Sequence, residues 1–443
     1  VKVRAKDYRK IGKNALAPLK TIKTRLSWGM ENSKPLIKRF RVGAMCVALI
    51  LVIWFFGYTA APTLHEELLV LDAHLDTPAV LDRPGFDITQ RHDPHHDFSQ
   101  VDLPRMQEGG LDGGFWVIYT PQGPLTEDGF RQALEHARHR NQLIDAMVAE
   151  NPDDFAHAIL AEQAASIAAQ GKRVVFKSIE NAYPLGMDVS RLDEFYDRGV
   201  RMLGLVHMSN NQFADSSTDK NGPKWGGLSP LGRQLVARAN QLGMVIDASH
   251  AHDATLAQLL ELSTTPIILS HSGAHAVFEH PRNVPDALLL DLAETGGVIH
   301  INSLSGYLKK LQSAPERRPA LMQLYGELRQ NPPQTKADQD QFIARRRAID
   351  EQFPPDYADF DDVMAHIDHV LSRLGPDHIG MGLDWDGGGG VDALHDITAL
   401  PKITQAMRKA GYDKAQISAL WSGNLLRLVR LAHAARQTDE RAK

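Results

Sequence analysis

One cysteine in 443 residues rules out an intrachain disulfide, so an extracytoplasmic body would have to be held by its core alone. That residue, Cys46, sits inside an apolar run as a small packing group, which leaves the rest of the chain without a thiolate for metal binding or nucleophilic chemistry. No GxGxxG follows an early strand pattern, which removes the main support for an open doubly wound sheet. Beyond Pro62 there is no long linker or low-complexity tract. With 43% hydrophobic and 23% charged residues, the composition excludes the disordered and fibrous classes. Charge is unevenly placed. Residues 1–41 carry 13 Lys/Arg against 2 Asp/Glu, so with a whole-chain charge of −5 the remainder holds about −16. Such a body repels phosphate and argues against nucleic acid as a partner.

Long charge-free runs are equally scarce, with one exception. GAMCVALILVIWFFGYTAA, Gly43 to Ala61, has 19 residues without a charge, close to the length that spans a hydrocarbon core as a helix. Lys38, Arg39 and Arg41 precede it, and Trp54 and Tyr58 lie toward its far end. The basic flank then stays in the cytoplasm. On this reading residues 1–41 are a basic cytoplasmic tail, 42–62 a transmembrane anchor and 63–443 an extracytoplasmic body. A signal peptide beginning near Met30 is the rival. Pro62 directly after Ala61 disfavours cleavage there, and with cleavage the body would be secreted.

A rhythm runs through the body. Eight short aliphatic runs recur: LLVLDAH, GGFWVIYTP, RVVFKSIE, MLGLVHMS, MVIDASH, PIILSHS, GGVIHINS and HIGMGLDWD. Helical patterns lie between them, for example SPLGRQLVARANQLG and DATLAQLLELS, with apolar residues at three- and four-residue steps. Strand and helix alternating eight times predict a parallel (β/α)8 barrel.

In a barrel the C-terminal strand ends share one face, and six of the eight runs close there in polar residues: His74 and Asp76, Glu180, His207, His250, His271 and Asp384. Burying that many polar groups uncompensated would cost several kcal/mol each, on the order of the transfer penalties for unpaired groups. Imidazole and carboxylate without thiolate suit a divalent ion such as zinc, with a position left open for water. His74, Asp76, His250 and His271, with Glu180 placed to bridge, suffice for two ions. A water between two such ions is acidic enough to exist as hydroxide near neutral pH, which is a hydrolase's nucleophile.

Seven segments in order, HLDTP, DLPRMQEGGLDGGFW, the Glu of SIEN, LVHMSNN, IDASHAHD, ILSHSGAHAVFEHPRNVPD and GMGLDWDG, resemble the membrane dipeptidase (renal dipeptidase) family of zinc peptidases. The resemblance runs from about Leu68 to the NLLR segment at Asn424. It implies a binuclear-zinc barrel that cleaves dipeptides, with tolerance in many members for a D-residue at the C-terminal position. Carried over, it implies His74 and Asp76 on the first zinc, His250 and His271 on the second and Glu180 between them. It further implies His207 facing the oxyanion, Arg282 clamping the dipeptide carboxylate and Asp384 relaying the proton. Family precedent implies a homodimer.

The chain also departs from the family. Asn181 and Ala182 follow Glu180 where many members have Gly-Gly, so larger groups would narrow the cleft or alter metal spacing. INSLSGYLKK does not reproduce the usual aromatic-rich loop, leaving Tyr307 as the candidate substrate contact. A polar stretch at about 309–359 reads as a helical insertion broken at Pro332 and Pro333: a lid, a dimer contact or a solvated ornament, the last being the default. Asp386 competes with Asp384, His252 lies two residues from His250, and His95–His96 reads as solvated surface. Two rivals remain. Another binuclear barrel amidohydrolase, a deaminase or lactonase, would show His-x-His after the first strand and often a bridging lysine at the fourth. A non-catalytic binding relative would lack a ligand or the proton relay.

Overall fold

The computed structural model describes residues 62–442, so the basic tail and the apolar run assigned to an anchor lie outside the described residues. Among the described residues no helix is long and apolar enough to cross a membrane.

Each of the eight aliphatic runs forms one parallel strand: β1 (Leu71–Leu75), β2 (Gly113–Tyr119), β3 (Arg173–Glu180), β4 (Val200–Gly204), β5 (Val245–Asp247), β6 (Ile268–Ala274), β7 (Val298–Ile301) and β8 (Ile379–Met381). Neighbours in sequence are neighbours in the sheet. Two short strands add to the edges of this path, Phe155–His157 beside β3 and Asn283–Val284 beside β6. Nearly every strand residue is buried, which explains why the runs read as continuous aliphatics rather than alternating patterns. The helices between them are amphipathic. Pro230–Leu242 buries Leu235, Val236 and Ala239; it starts at Ser229, whose hydroxyl accepts from Gly232 N–H, and stops at Gly243 in the left-handed region.

The sheet closes on itself at the β1–β8 seam, and there the backbone ladder is thin. A single parallel bridge joins Leu75 to Trp385, with Asp76 N–H donating to Trp385 O at 2.9 Å. Lower in the seam the buried Asp72 carboxylate substitutes for a strand partner. It accepts from His74 N–H at 2.8 Å and from Leu383 N–H at 3.1 Å.

The barrel interior is layered because side chains alternate along a strand. At the bottom Leu71, Phe115, Phe176, Met202, Ile268 and Val298 share one apolar cluster with Leu425, Leu428 and Val429 of the C-terminal helix Asn424–Ala442. Two residues further up come polar groups: Ser178, Asp247, Ser270 and His300, all buried. His300 fits because β8 has glycine opposite; a Cβ on Gly380 would stand 2.3 Å from its ring. Above this layer lie the strand ends.

Residues 309–359 include two helices, Arg317–Gln330 and Lys336–Gln352. An Arg317–Asp350 ion pair at 2.6 Å and a Tyr325–Phe342 ring contact at 5.7 Å hold them together. The second helix rests on the loop after β1, where the Arg346 guanidinium lies 4.9 Å from the centre of the Phe98 ring. The first borders a cavity of about 670 Å³ lined by Phe278, Gly306, Leu311, Leu321 and Met322, facing the loops after β6 and β7. The insertion therefore stands on the same end of the barrel as the strand-end histidines.

The seam makes a stability prediction. Asp72→Ala leaves two buried N–H donors unpartnered, at about 1–3 kcal/mol each, so the urea midpoint is expected to fall by an amount equivalent to about 2–6 kcal/mol. An unchanged midpoint would mean that the Leu75–Trp385 bridge carries the seam alone.

Candidate metal and active centre

Glu180 ends β3 at the middle of the strand-end cluster, and its two oxygens face different partners. Oε2 lies 3.5 Å from His74 Nε2. Oε1 lies 3.1 Å from His250 Nε2, 3.4 Å from His271 Nε2 and 4.0 Å from His207 Nε2. On the β1 side, Asp76 Oδ2 is 3.9 Å from His74 Nε2, and Asp384 joins this pair. Three overlapping sets have ligand atoms mutually within 4.8 Å: His74, Glu180 and His271; Glu180, His207 and His250; His74, Asp76 and Asp384. All seven residues named from the strand endings thus meet at one place, and six of them are buried, His207 being partly open.

The electrostatics of this cluster are lopsided. Burial pushes the Asp384 carboxyl up to about 7, with the Glu180 charge adding to it against His74 and Arg282. Burial, then Glu180, also raises Asp76 well above the carboxylate range. Burial opposes a charged His74, yet the carboxylates of Glu180, Asp76 and Asp384 outweigh it and raise that imidazole to about 10. Glu180 is held well below its ordinary value despite burial, chiefly by His74 and His207. His250 and His271 are pushed far down, by burial first, and remain neutral. Three carboxylates packed this closely call for positive charge among them. Buried His74 Nε2 and Asp76 Oδ1 have no hydrogen-bond partner. Divalent cations bound by nitrogen and oxygen would meet both demands, so the residues present fit the metal.

Backbone geometry keeps the centre open. A Cβ on Gly387 would lie 2.2 Å from both Asp384 Oδ1 and Asp76 Oδ2, so no larger residue can pass over the two carboxylates. Asn181, His250 and Asp384 all adopt positive φ, 71°, 65° and 62°, a cost of about 1–3 kcal/mol each that the surrounding hydrogen bonds must offset. The Asn181–Ala182 departure is explained here. Asn tolerates the left-handed conformation nearly as glycine does, and its side chain is occupied by Thr120 O and Tyr183 N–H. Both residues are fully buried, so they pack beneath the loop and do not narrow the cleft.

Arg282 is anchored behind the cluster. Its Nη2 donates to His271 O at 2.8 Å and its Nη1 to Ser272 Oγ at 3.3 Å, while buried Nε has no partner. Tyr307 covers it, with the guanidinium 5.2 Å from the ring centre. Other candidates lie elsewhere. The His252 ring accepts from Ala254 N–H at the start of a helix. Asp386 is held by Thr77 Oγ and Gln100 N–H. His95 and His96 are exposed, and Lys177 turns away to Asp145 at 2.7 Å.

Residues that the sequence reading left without a role also reach the centre. Tyr119 closes β2 with its ring 4.9 Å from that of His207, and Asp247 and Ser270 lie directly beneath the imidazoles. Their signal in the sequence is a polar residue on the inward parity of an aliphatic strand.

Comparison with known proteins agrees with this geometry. The family described as membrane dipeptidase (peptidase family M19) matches residues 59–442. Dipeptidase tcpJ of Claviceps purpurea is 30% identical over 352 residues, covering 78% of this chain and 72% of that protein. The crystal structure of the probable dipeptidase PvdM from Pseudomonas aeruginosa has a TM-score of 0.71 and 30% identity, covering 84% of this chain and 97% of that one. A metallo peptidase from Rhodobacter sphaeroides, liganded with a phosphinate mimic of the dipeptide L-Ala-D-Ala, has a TM-score of 0.65 and 27% identity, covering 82% and 99%. The strand-end cluster on its nearly closed barrel is thus accounted for by descent: the chain belongs to the membrane dipeptidase family, peptidase family M19, and is a dipeptidase of that metallopeptidase class.

Proposed function

We propose that the chain hydrolyses the peptide bond of dipeptides, including those with a C-terminal D-residue, with two zinc ions held by His74 and Asp76 on one side, His250 and His271 on the other and Glu180 between. One observation carries the reading: the two oxygens of a single buried glutamate face opposite sets of imidazoles, with unpartnered ligand atoms around them. The dipeptide mimic bound by the Rhodobacter sphaeroides relative supports the substrate class and the D-residue. When bound, the ions supply Lewis acidity that makes water a nucleophile near neutral pH.

The chain's own residues do the rest. Arg282, with its fork already held by His271 O and Ser272 Oγ, receives the substrate's carboxylate, and Tyr307 closes over that pair. His207 sits at the open side of the cluster. Burial lowers its pKa against the pull of Glu180, so the ring is a neutral donor for the developing oxyanion. Asp384 takes the proton from water and returns it to the leaving amine nitrogen; a carboxyl raised by burial is suited to both halves of that transfer. The insertion at 309–359 forms one wall of the cleft entrance. Residues 42–62 anchor the chain with its body outside the cytoplasm, a reading supported by the charge-free run and its basic flank. A homodimer belongs to the same proposal.

Exhaustive chelation is expected to abolish dipeptide hydrolysis, with activity returning at two equivalents of zinc. Glu180→Gln is expected to weaken zinc uptake by at least about 100-fold, the upper range for loss of a supporting group; full activity in the chelated enzyme would end the proposal. Asp384→Asn is expected to lower kcat by about 10²–10⁴ with KM little changed. Protonating Asp384 removes the base, so the rate falls as pH drops through its pKa. That value is about 7 without cations and lower with them, so the acid limb lies at or below 7 and disappears in the variant. Arg282→Lys keeps the charge but not the fork and is expected to raise KM for dipeptides more than it lowers kcat; equal KM for a dipeptide and its C-terminal amide in the unaltered enzyme would show that Arg282 does not hold the carboxylate.

A further inference from the structure

Beneath the cluster one hydroxyl touches both of its halves. Ser270 Oγ lies 2.6 Å from Asp247 Oδ2, 2.9 Å from His271 Nδ1 and 3.2 Å from His74 Nδ1, while Ser249 Oγ, which accepts from His271 N–H, stands at the longest distance, 3.3 Å. A serine hydroxyl has one proton to donate and two lone pairs to accept with. The shortest contact is to a carboxylate, which only accepts. Asp247 is itself oriented by two backbone donors, Ser249 N–H and Ser270 N–H, each 2.9 Å from its Oδ1, which leaves Oδ2 aimed at Ser270. The serine proton therefore goes to Asp247, and toward both imidazoles Ser270 acts as acceptor.

The tautomers follow. With cations bound, His74 and His271 would each keep their proton on Nδ1 and turn an Nε2 lone pair into the cluster. Their rings lie side by side, with centroids 3.7 Å apart and planes inclined by 35°, so one oxygen serves both. His250 differs, since its Nδ1 has no partner. Because the two rings belong to different ions in the arrangement proposed above, we infer that Ser270 and Asp247 form one positioning element that sets the tautomer and direction of one imidazole from each metal site, so that disturbing either residue weakens both sites together. This inference rests on the two-ion reading.

Asp247→Asn tests it sharply. The two backbone N–H donors hold the amide oxygen in the Oδ1 place, which puts the amide N–H₂ against Ser270. The serine proton is then displaced toward one ring, whose Nε2 becomes protonated although shape and packing are unchanged. Zinc titration of the chelated full chain is expected to show both equivalents bound about 10–100-fold more weakly, the range for loss of a ligand-orienting group, with an unaltered circular dichroism spectrum. Ser270→Ala is expected to act likewise. ¹⁵N correlation spectra of the histidine-labelled, zinc-loaded protein are expected to show two rings carrying their proton on Nδ1 in the unaltered chain and at least one of them changed in Asp247→Asn. If the unaltered chain binds no zinc, the two-ion reading itself is overturned. If it binds two equivalents and Asp247→Asn matches it, or if either ring carries its proton on Nε2 in the zinc-loaded unaltered chain, the positioning role alone is overturned.

Discussion

Carboxylates do not share a buried space unless something positive shares it with them. Asp76, Glu180 and Asp384 lie together at the mouth of the barrel, almost out of contact with water, and every feature around them follows from that constraint. The imidazoles turn their Nε2 atoms toward Glu180, Arg282 sits behind His271, and Gly387 gives up its side chain so that two carboxylates can stand beneath its backbone. An uncompensated version of this site would cost more than a domain's whole margin of about 5–15 kcal/mol.

The barrel tolerates such a centre because it separates its tasks by height. Apolar side chains and the C-terminal helix fill the bottom and supply stability. Polar groups occupy the middle layer, where Ser270 lies between Asp247 and two of the rings above. The strand ends supply the imidazoles and carboxylates that could hold cations. Even the seam obeys this division: Asp72 joins β1 to the segment after β8 through its carboxylate two residues below His74, so closing the barrel and placing a cluster imidazole are done by adjacent parts of one strand.

Much of this was legible beforehand. The eight aliphatic runs became the eight strands because a parallel strand buried on both faces has to be aliphatic throughout. The strand-end histidines and acids met because all parallel strands deliver their C-termini to one face. What stayed hidden depended on contacts between distant segments. Tyr119 reads as the last residue of an aromatic strand, and only the neighbouring strand ends place its ring against His207. Asn181 looked like an obstruction, yet its left-handed backbone turns the side chain into the loop.

The order of residues by itself determined the periodicity, the strand count and the chemical inventory of nitrogen and oxygen ligands without sulfur, since these are local properties of the chain. Only the tertiary structure decided which oxygen of Glu180 faces which imidazole, that Asp384 and not Asp386 joins the cluster, and that a single serine hydroxyl lies under two rings, one 196 residues away from it in sequence and the other adjacent to it. Those are matters of direction over a few ångströms, and direction is set by the twist and closure of the sheet, which no single strand contains.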